Sequence, residues 1–141
     1  MERCKIIIDT NLWISLLIGK RLSEMRALCN SKSILVCVCE ELMMEFIRIA
    51  SREKIKKYVT EERIKETINL MTLSCIDVTI KNTVVSSPLR DVNDLYLLAL
   101  ADTVQADFIL TGDKDLLTIQ FHNHTKIVTY NEFVMLKQGY N

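Results

Sequence analysis

Net charge, a paired cysteine motif and a long apolar run are all missing from this chain, and each absence removes a class of protein. Lys plus Arg and Asp plus Glu both number 18, so the formal net charge is zero. Bulk electrostatics therefore gives no argument for nucleic-acid binding, and any such surface must be local. The five cysteines, Cys4, Cys29, Cys37, Cys39 and Cys75, are odd in number and form no CxxC pair. Several lie in apolar runs where free thiols behave as small hydrophobes, which points to a reducing compartment. No segment approaches the roughly 18 apolar residues of a membrane span, and the apolar part of Met-Glu-Arg-Cys-Lys-Ile-Ile-Ile is too short for a signal peptide. The expectation is a soluble, cytoplasmic protein with no membrane association. Only one proline is present, Pro88, and there is no repeat, low-complexity tract or linker, so the 141 residues read as one domain over 1–141. What is abundant is aliphatic: hydrophobic residues make up 49% and aromatics 6%, which describes a globular protein with an aliphatic core.

Ile6 to Ile8 is a consecutive β-branched run, the mark of a strand buried on both faces. Asp9-Thr10-Asn11 then precedes Leu12, Trp13, Leu16 and Leu17, whose three-and-four spacing predicts a helix entered through a polar cap and ended at Gly19. Leu22 to Asn30 reads as a short helix and Ile34 to Val38 as a second buried strand. Glu40 to Ala50 has Leu42, Phe46 and Ile49 on one stripe and Glu41, Glu45 and Arg48 on another. Lys54 to Met71 reads as one charge-rich helix with Ile55, Val59, Ile64, Ile68 and Met71 inward, and Cys75 to Ile80 as a strand or an extended piece. Pro88 marks a break. Leu95 to Gln105 is a strong helix, Phe108 to Thr111 a strand, Thr-Gly-Asp-Lys-Asp a turn, Lys126 to Thr129 a last strand, and Asn131 the cap of a terminal helix containing Phe133 and Leu136. Strands alternating with helices predict an α/β sandwich around a mainly parallel sheet.

Acids recur beyond these apolar runs: Asp9, the Glu41/Glu45 pair, Asp91 and Asp94 ahead of Leu95, and Asp113. Each alone has an ordinary use. Asp9 suits an N-cap, Asp91 and Asp94 suit the positive end of a helix, Asp113 suits a turn, and two glutamates one helical turn apart suit solvent. Capping does not require the acids to gather, however, and in an open parallel sheet residues leaving different strands meet in one crevice. Two like charges about 4 Å apart repel by roughly 4 kcal/mol at an effective dielectric near 20, so such a cluster takes up protons or a cation. All-oxygen ligation favours Mg²⁺ or Mn²⁺, ions that bind substrate phosphate and serve phosphodiester chemistry.

Ile-Ile-Ile-Asp9-Thr-Asn11, Cys39-Glu-Glu-Leu-Met-Met-Glu45, Arg90-Asp91-Val-Asn-Asp94 with Leu95 to Ala101, and Ala106-Asp107-Phe-Ile-Leu-Thr111-Gly-Asp113-Lys-Asp115-Leu-Leu together resemble the PIN-domain nucleases. More narrowly, the chain is similar to the small single-domain PIN proteins of toxin-antitoxin pairs. The resemblance spans nearly the whole chain and implies a three-layer α/β/α domain with a Mg²⁺ or Mn²⁺ site that hydrolyses RNA. It places the four acids, catalytic and metal-binding, at Asp9, Glu45, Asp94 and Asp113. Asp91 and Asp115 become supporting acids, and Asn11 and Thr111 the polar groups that orient carboxylates or water. It also implies a small antitoxin partner and a homodimer. Cys39 stands where the family usually has Ser or Thr, which weakens that cap and lets Glu41 compete with Glu45; Glu45 is preferred. Arg90 and Lys114, beside the acids, are placed to hold an RNA backbone or screen the site.

Other residues read as structure. His122-Asn-His124 lacks a completed zinc set, Cys37 and Cys39 suit core packing, Trp13 and Phe46 suit the core, and the basic run Arg48, Arg52, Lys54, Lys56 and Lys57 suits a solvated face. The rival to a nuclease is a non-catalytic RNA- or protein-interaction domain with the same fold. A receiver-type phosphoryl-transfer domain and a flap-cutting DNA nuclease rank further behind, the first leaving acids without a role and the second lacking chain for duplex-gripping helices.

Overall fold

The computed structural model describes residues 3–81 and 95–138. A sheet runs in the order β3-β2-β1-β4-β6-β5, built from β1 (Cys4–Ile8), β2 (Ile34–Val38), β3 (Ile76–Asp77), β4 (Phe108–Leu110), β5 (Phe121–His122) and β6 (Thr125–Val128). All neighbours are parallel except the β5–β6 edge pair. Ile6, Ile7 and Ile8 are essentially inaccessible to solvent, as expected of a central strand covered on both faces.

Among the described residues eight helices surround it: α1 (Thr10–Ile18), α2 (Leu22–Cys29), α3 (Glu40–Ala50), α4 (Glu53–Lys56), α5 (Glu61–Ser74), α6 (Leu95–Val104), α7 (Lys114–Ile119) and α8 (Tyr130–Gln138). Helices α1, α2, α3 and α5 pack on one another, while α6 lies against β1 and α7 against β6. Strand order advances in one direction from β1 to β3 and in the other from β4 to β6. With right-handed crossovers that reversal puts α6 on the opposite face, giving three α/β/α layers and a switch point between β1 and β4.

Trp13 and Phe46 are fully buried, as are Leu42 and Met25. Cys37 and Cys39 lie in the same core, all five thiols are free, and the sulfur atoms of Cys29 and Cys75 approach to 3.6 Å between α2 and the end of α5. The Arg48 to Lys57 basic side chains are exposed.

The structure departs from the sequence reading at short elements. Lys54 to Met71 is not one helix: Thr60 is extended, and its hydroxyl accepts the Arg63 N–H at 3.2 Å to start α5 afresh. The segment after Thr111 is not merely a turn, since Asp113 caps α7. Strand β5 was not expected; it pairs back on β6 through Asn123, whose φ of 54° is the left-handed conformation that asparagine tolerates. The terminal helix starts one residue before Asn131, with Thr129 and Glu132 forming a reciprocal cap: the Glu132 N–H donates to the Thr129 hydroxyl at 3.1 Å, and Glu132 Oε1 accepts from it at 3.0 Å. The expected break at Pro88 lies outside the described residues.

Candidate metal centre

Strand register assembles the site. Ile8 pairs with Leu110, so the next residues, Asp9 and Thr111, leave neighbouring strands side by side at the switch point. The Asp9 N–H extends the ladder by donating to the Leu110 carbonyl at 2.9 Å, and the Thr111 N–H does so to Val128 at 3.0 Å. Both side chains are buried, Asp9 at 2% exposure. The Thr111 hydroxyl donates to Asp9 Oδ2 at 2.8 Å and accepts the Asp113 N–H at 3.0 Å. One hydroxyl thus ties the loop after β1 to the loop after β4.

Asp9 sits at the N-terminus of α1 and makes no close side-chain capping bond to it. The Thr10 and Asn11 N–H groups face the carboxylate and favour its ionised form, as does Thr111. Burial outweighs them and pushes the Asp9 pKa up, with the Asp113 charge adding to the rise.

Glu45 projects from α3 toward the same place. Its pKa is raised, first by burial and then by the charge of Asp9; the hydroxyls of Thr10 and Tyr96 and the more distant charge of Arg48 act the other way. Thr10 Oγ1 and Tyr96 Oη are 3.1 Å apart. Burial and the Glu45 and Asp9 charges push the Tyr96 phenol well above its ordinary range, so it remains an O–H donor. Glu41, by contrast, is exposed on the outer turn of α3. Cys39 makes no capping bond to α3, and burial raises its thiol to about 11.

Asp113 is half-buried and Asp115 exposed; the Asp115 N–H donates to Asp113 Oδ1 at 2.8 Å. Asn11 and Asp113 line an open hollow of about 270 Å³ with Ser15 and Gly112. Lys114 is exposed at the first turn of α7. Asp9 is thus the hub: it is joined to Asp113 through Thr111 and feels the charge of Glu45 from α3, while Asn11 lines a hollow with Asp113; Glu41 and Asp115 are exposed. Asp94, Asp91 and Arg90 lie outside the described residues. Sequence reading missed Thr10 and Tyr96, although each left a trace: Thr10 follows the first acid directly, and Tyr96 is the one aromatic in a first stretch of α6 otherwise built of Leu and Ala.

A sequence profile of the PIN domain matches residues 5–115. The chain belongs to the PIN-domain family. Among solved structures, the T. brucei RRP44 PIN domain is similar at a TM-score of 0.48 and 15% identity, covering 98% of this chain and 84% of that one. No curated protein matches the chain. PIN domains are generally nucleases, and the matched span holds Asp9, Glu45 and Asp113.

A divalent cation fits this PIN domain's crevice on two grounds. Asp9 is a buried carboxylate, and among the described residues neither it nor Glu45 nor Asp113 forms a salt bridge. The donors are all oxygen, which suits a hard ion. Among the described residues alone, no three His, Cys, Asp or Glu side chains close into a metal-holding group. His122 is not part of any such group: its Nε2 lies 2.9 Å from Asp102 Oδ2, joining β5 to α6.

Proposed function

We propose that this PIN domain is a metal-dependent endoribonuclease that hydrolyses RNA phosphodiester bonds, with Asp9, Glu45, Asp94 and Asp113 holding Mg²⁺ or Mn²⁺. The observation that carries the reading is the buried Asp9 carboxylate, without a basic partner among the described residues, wired to the second strand-end loop through Thr111 and facing Glu45. A carboxylate kept from water without a basic partner is costly unless a cation joins it. Placement of Asp94 two residues ahead of Tyr96, whose phenol touches Thr10, supports its membership.

When bound, the ion would supply a water of lowered pKa and neutralise charge on the scissile phosphate. The chain's own groups perform the rest. Thr111 fixes the orientation of Asp9, and Thr10 and Tyr96 favour the ionised form of Glu45. Lys114, at the rim beside Asp113, holds the RNA backbone, with Arg90 as its counterpart and Asp91 and Asp115 as supporting charges. Likeness to the single-domain PIN proteins of toxin-antitoxin pairs supports a toxin role, a small antitoxin partner and a homodimer.

Expressing wild type and Asp9→Asn in parallel and sequencing cellular RNA ends tests both activity and substrate. Ends present only with the wild type are expected. Identical ends from both chains, or no saturable Mn²⁺ binding by calorimetry, would replace this reading with a non-catalytic interaction domain.

A further inference from the structure

A hollow of about 590 Å³ lies at the opposite end of the sheet. It opens where Cys4, Ile34 and Phe108 begin β1, β2 and β4. Five residues of β1 separate it from Asp9, a span of roughly 16 Å. Its volume falls within the approximate 300–1,000 Å³ range of small-ligand sites.

Three permanent cations line it, Arg3, Lys126 and Lys137, with His124 beside them and Asp107 as the one acid. Among the described residues these charges are oriented without forming a salt bridge. Arg3 donates to the carbonyls of Lys32 and Ser31 at 3.1 and 3.2 Å, and Lys137 Nζ reaches Ser31 Oγ at 3.5 Å. All three acceptors are uncharged. Lys126 has no salt bridge or side-chain hydrogen bond among the described residues. The Asp107 carboxylate accepts the Lys5 N–H at 2.9 Å rather than a lysine ammonium. Among the described lining residues, the three cations and the one acid leave two positive charges in excess, in a chain whose total is zero.

Apart from Ser33, the rest of the lining is apolar. Phe108 and Phe133 meet edge to face, ring centres 5.4 Å apart at 69°, with Leu136 and Ile34 adjoining. Such a wall takes a flat, weakly polar body, while a fork of guanidinium and ammonium groups takes a phosphate. We propose that this hollow is a second ligand site, distinct from the acid crevice, for a phosphomonoester carrying a planar ring, the chemistry of a nucleoside monophosphate. The phosphate meets Arg3, Lys126 and Lys137, and the base lies against the half-buried Phe108, which the buried Phe133 backs edge-on.

The test is calorimetry and amide NMR on the full chain with adenosine 5′-monophosphate, adenosine and inorganic phosphate. A chelator is kept present so that no metal-bound phosphate forms at the acids. Saturable binding of the monophosphate is expected, with shifted amides around Arg3, Asp107 and Lys126, and inorganic phosphate about tenfold weaker. Lys126→Met and Lys137→Met should each weaken it about tenfold while leaving the thermal melt in place, and rising salt should weaken it further. Absence of saturable binding, shifts confined to the Asp9 and Gly112 amides, or undiminished affinity in both variants would overturn the site. Phosphate binding as tightly as the monophosphate would overturn the nucleotide assignment.

Discussion

The two ends of the sheet differ in charge, burial and how their charges are held. At the carboxyl ends of the strands, Asp9 interacts with Asp113 on one side and Glu45 on the other, and burial raises the pKa of Asp9 and of Glu45. At the amino ends, Arg3, Lys126 and Lys137 surround an apolar hollow. A parallel sheet with returning helices produces this polarity readily. Helices α1, α3, α7 and α8 each begin directly after a strand, so their positive N-termini face the acid end and favour carboxylates there. A formal charge of zero thus conceals a polarised molecule. The difference teaches that average charge says nothing about either end, and that the acid end is built by register while the basic end is built by side-chain reach.

The sharpest way to break the comparison is at Asp9. Asp9→Asn should reduce Mn²⁺-dependent RNA cleavage roughly 10³-fold, what about 4 kcal/mol of lost charge stabilisation gives, with circular dichroism unchanged. Next come the two glutamates of α3. Glu45→Gln should cost about a hundredfold in the same assay and Glu41→Gln less than about twofold, because only Glu45 faces Asp9; equal losses would remove the preference. Thr111→Val keeps the shape but removes the donor to Asp9 and the acceptor for Asp113. Cleavage should fall about tenfold and stability by about 1–3 kcal/mol in urea melts.

Stability should move the other way for the metal-free Asp9→Asn chain. Burial raises the folded-state pKa of Asp9, so the folded protein holds this proton more tightly than the unfolded chain. That contribution is present below the ordinary aspartate range and is lost as pH rises through the raised folded value. In chelator at neutral pH, Asp9→Asn is therefore expected to melt a few degrees higher than wild type, the gap closing in acid where Asp9 is neutral in both states. Smallest of all, Lys126→Met should leave cleavage within about twofold, and its effect should add to that of Thr111→Val without coupling, because the two sites share no partner. Strong coupling would join the two ends into one site.

How much of this was legible follows from the length of each signal. The Ile6–Ile8 run and the Leu42, Phe46, Ile49 stripe were readable because consecutive β-branched residues and helical spacing repeat over enough chain to exclude alternatives. Helix α7 and strand β5, at six and two residues, were not. Their existence depends on the Asp113 cap and on Asn123 turning the chain, both local choices that other conformations satisfy equally well in isolation. The break at Thr60 was hidden because a capping threonine and a helical threonine look alike in sequence. For the site, strand-end position identified Asp9 and Asp113. Whether Glu41 or Glu45 turns inward depends on where α3 packs, and the roles of Thr10 and Tyr96 exist only once α1, α3 and α6 meet.

Thr111 carries one more implication. A hydroxyl has a single hydrogen, and the Asp113 N–H already points at the Thr111 oxygen, so that hydrogen is directed at Asp9 Oδ2. While that bond holds, Oδ2 is engaged and Oδ1 is the oxygen that takes up a proton without disturbing Thr111. A proton on Oδ2 would require the Thr111 hydroxyl to turn and accept it, breaking the donation that ties the two loops together.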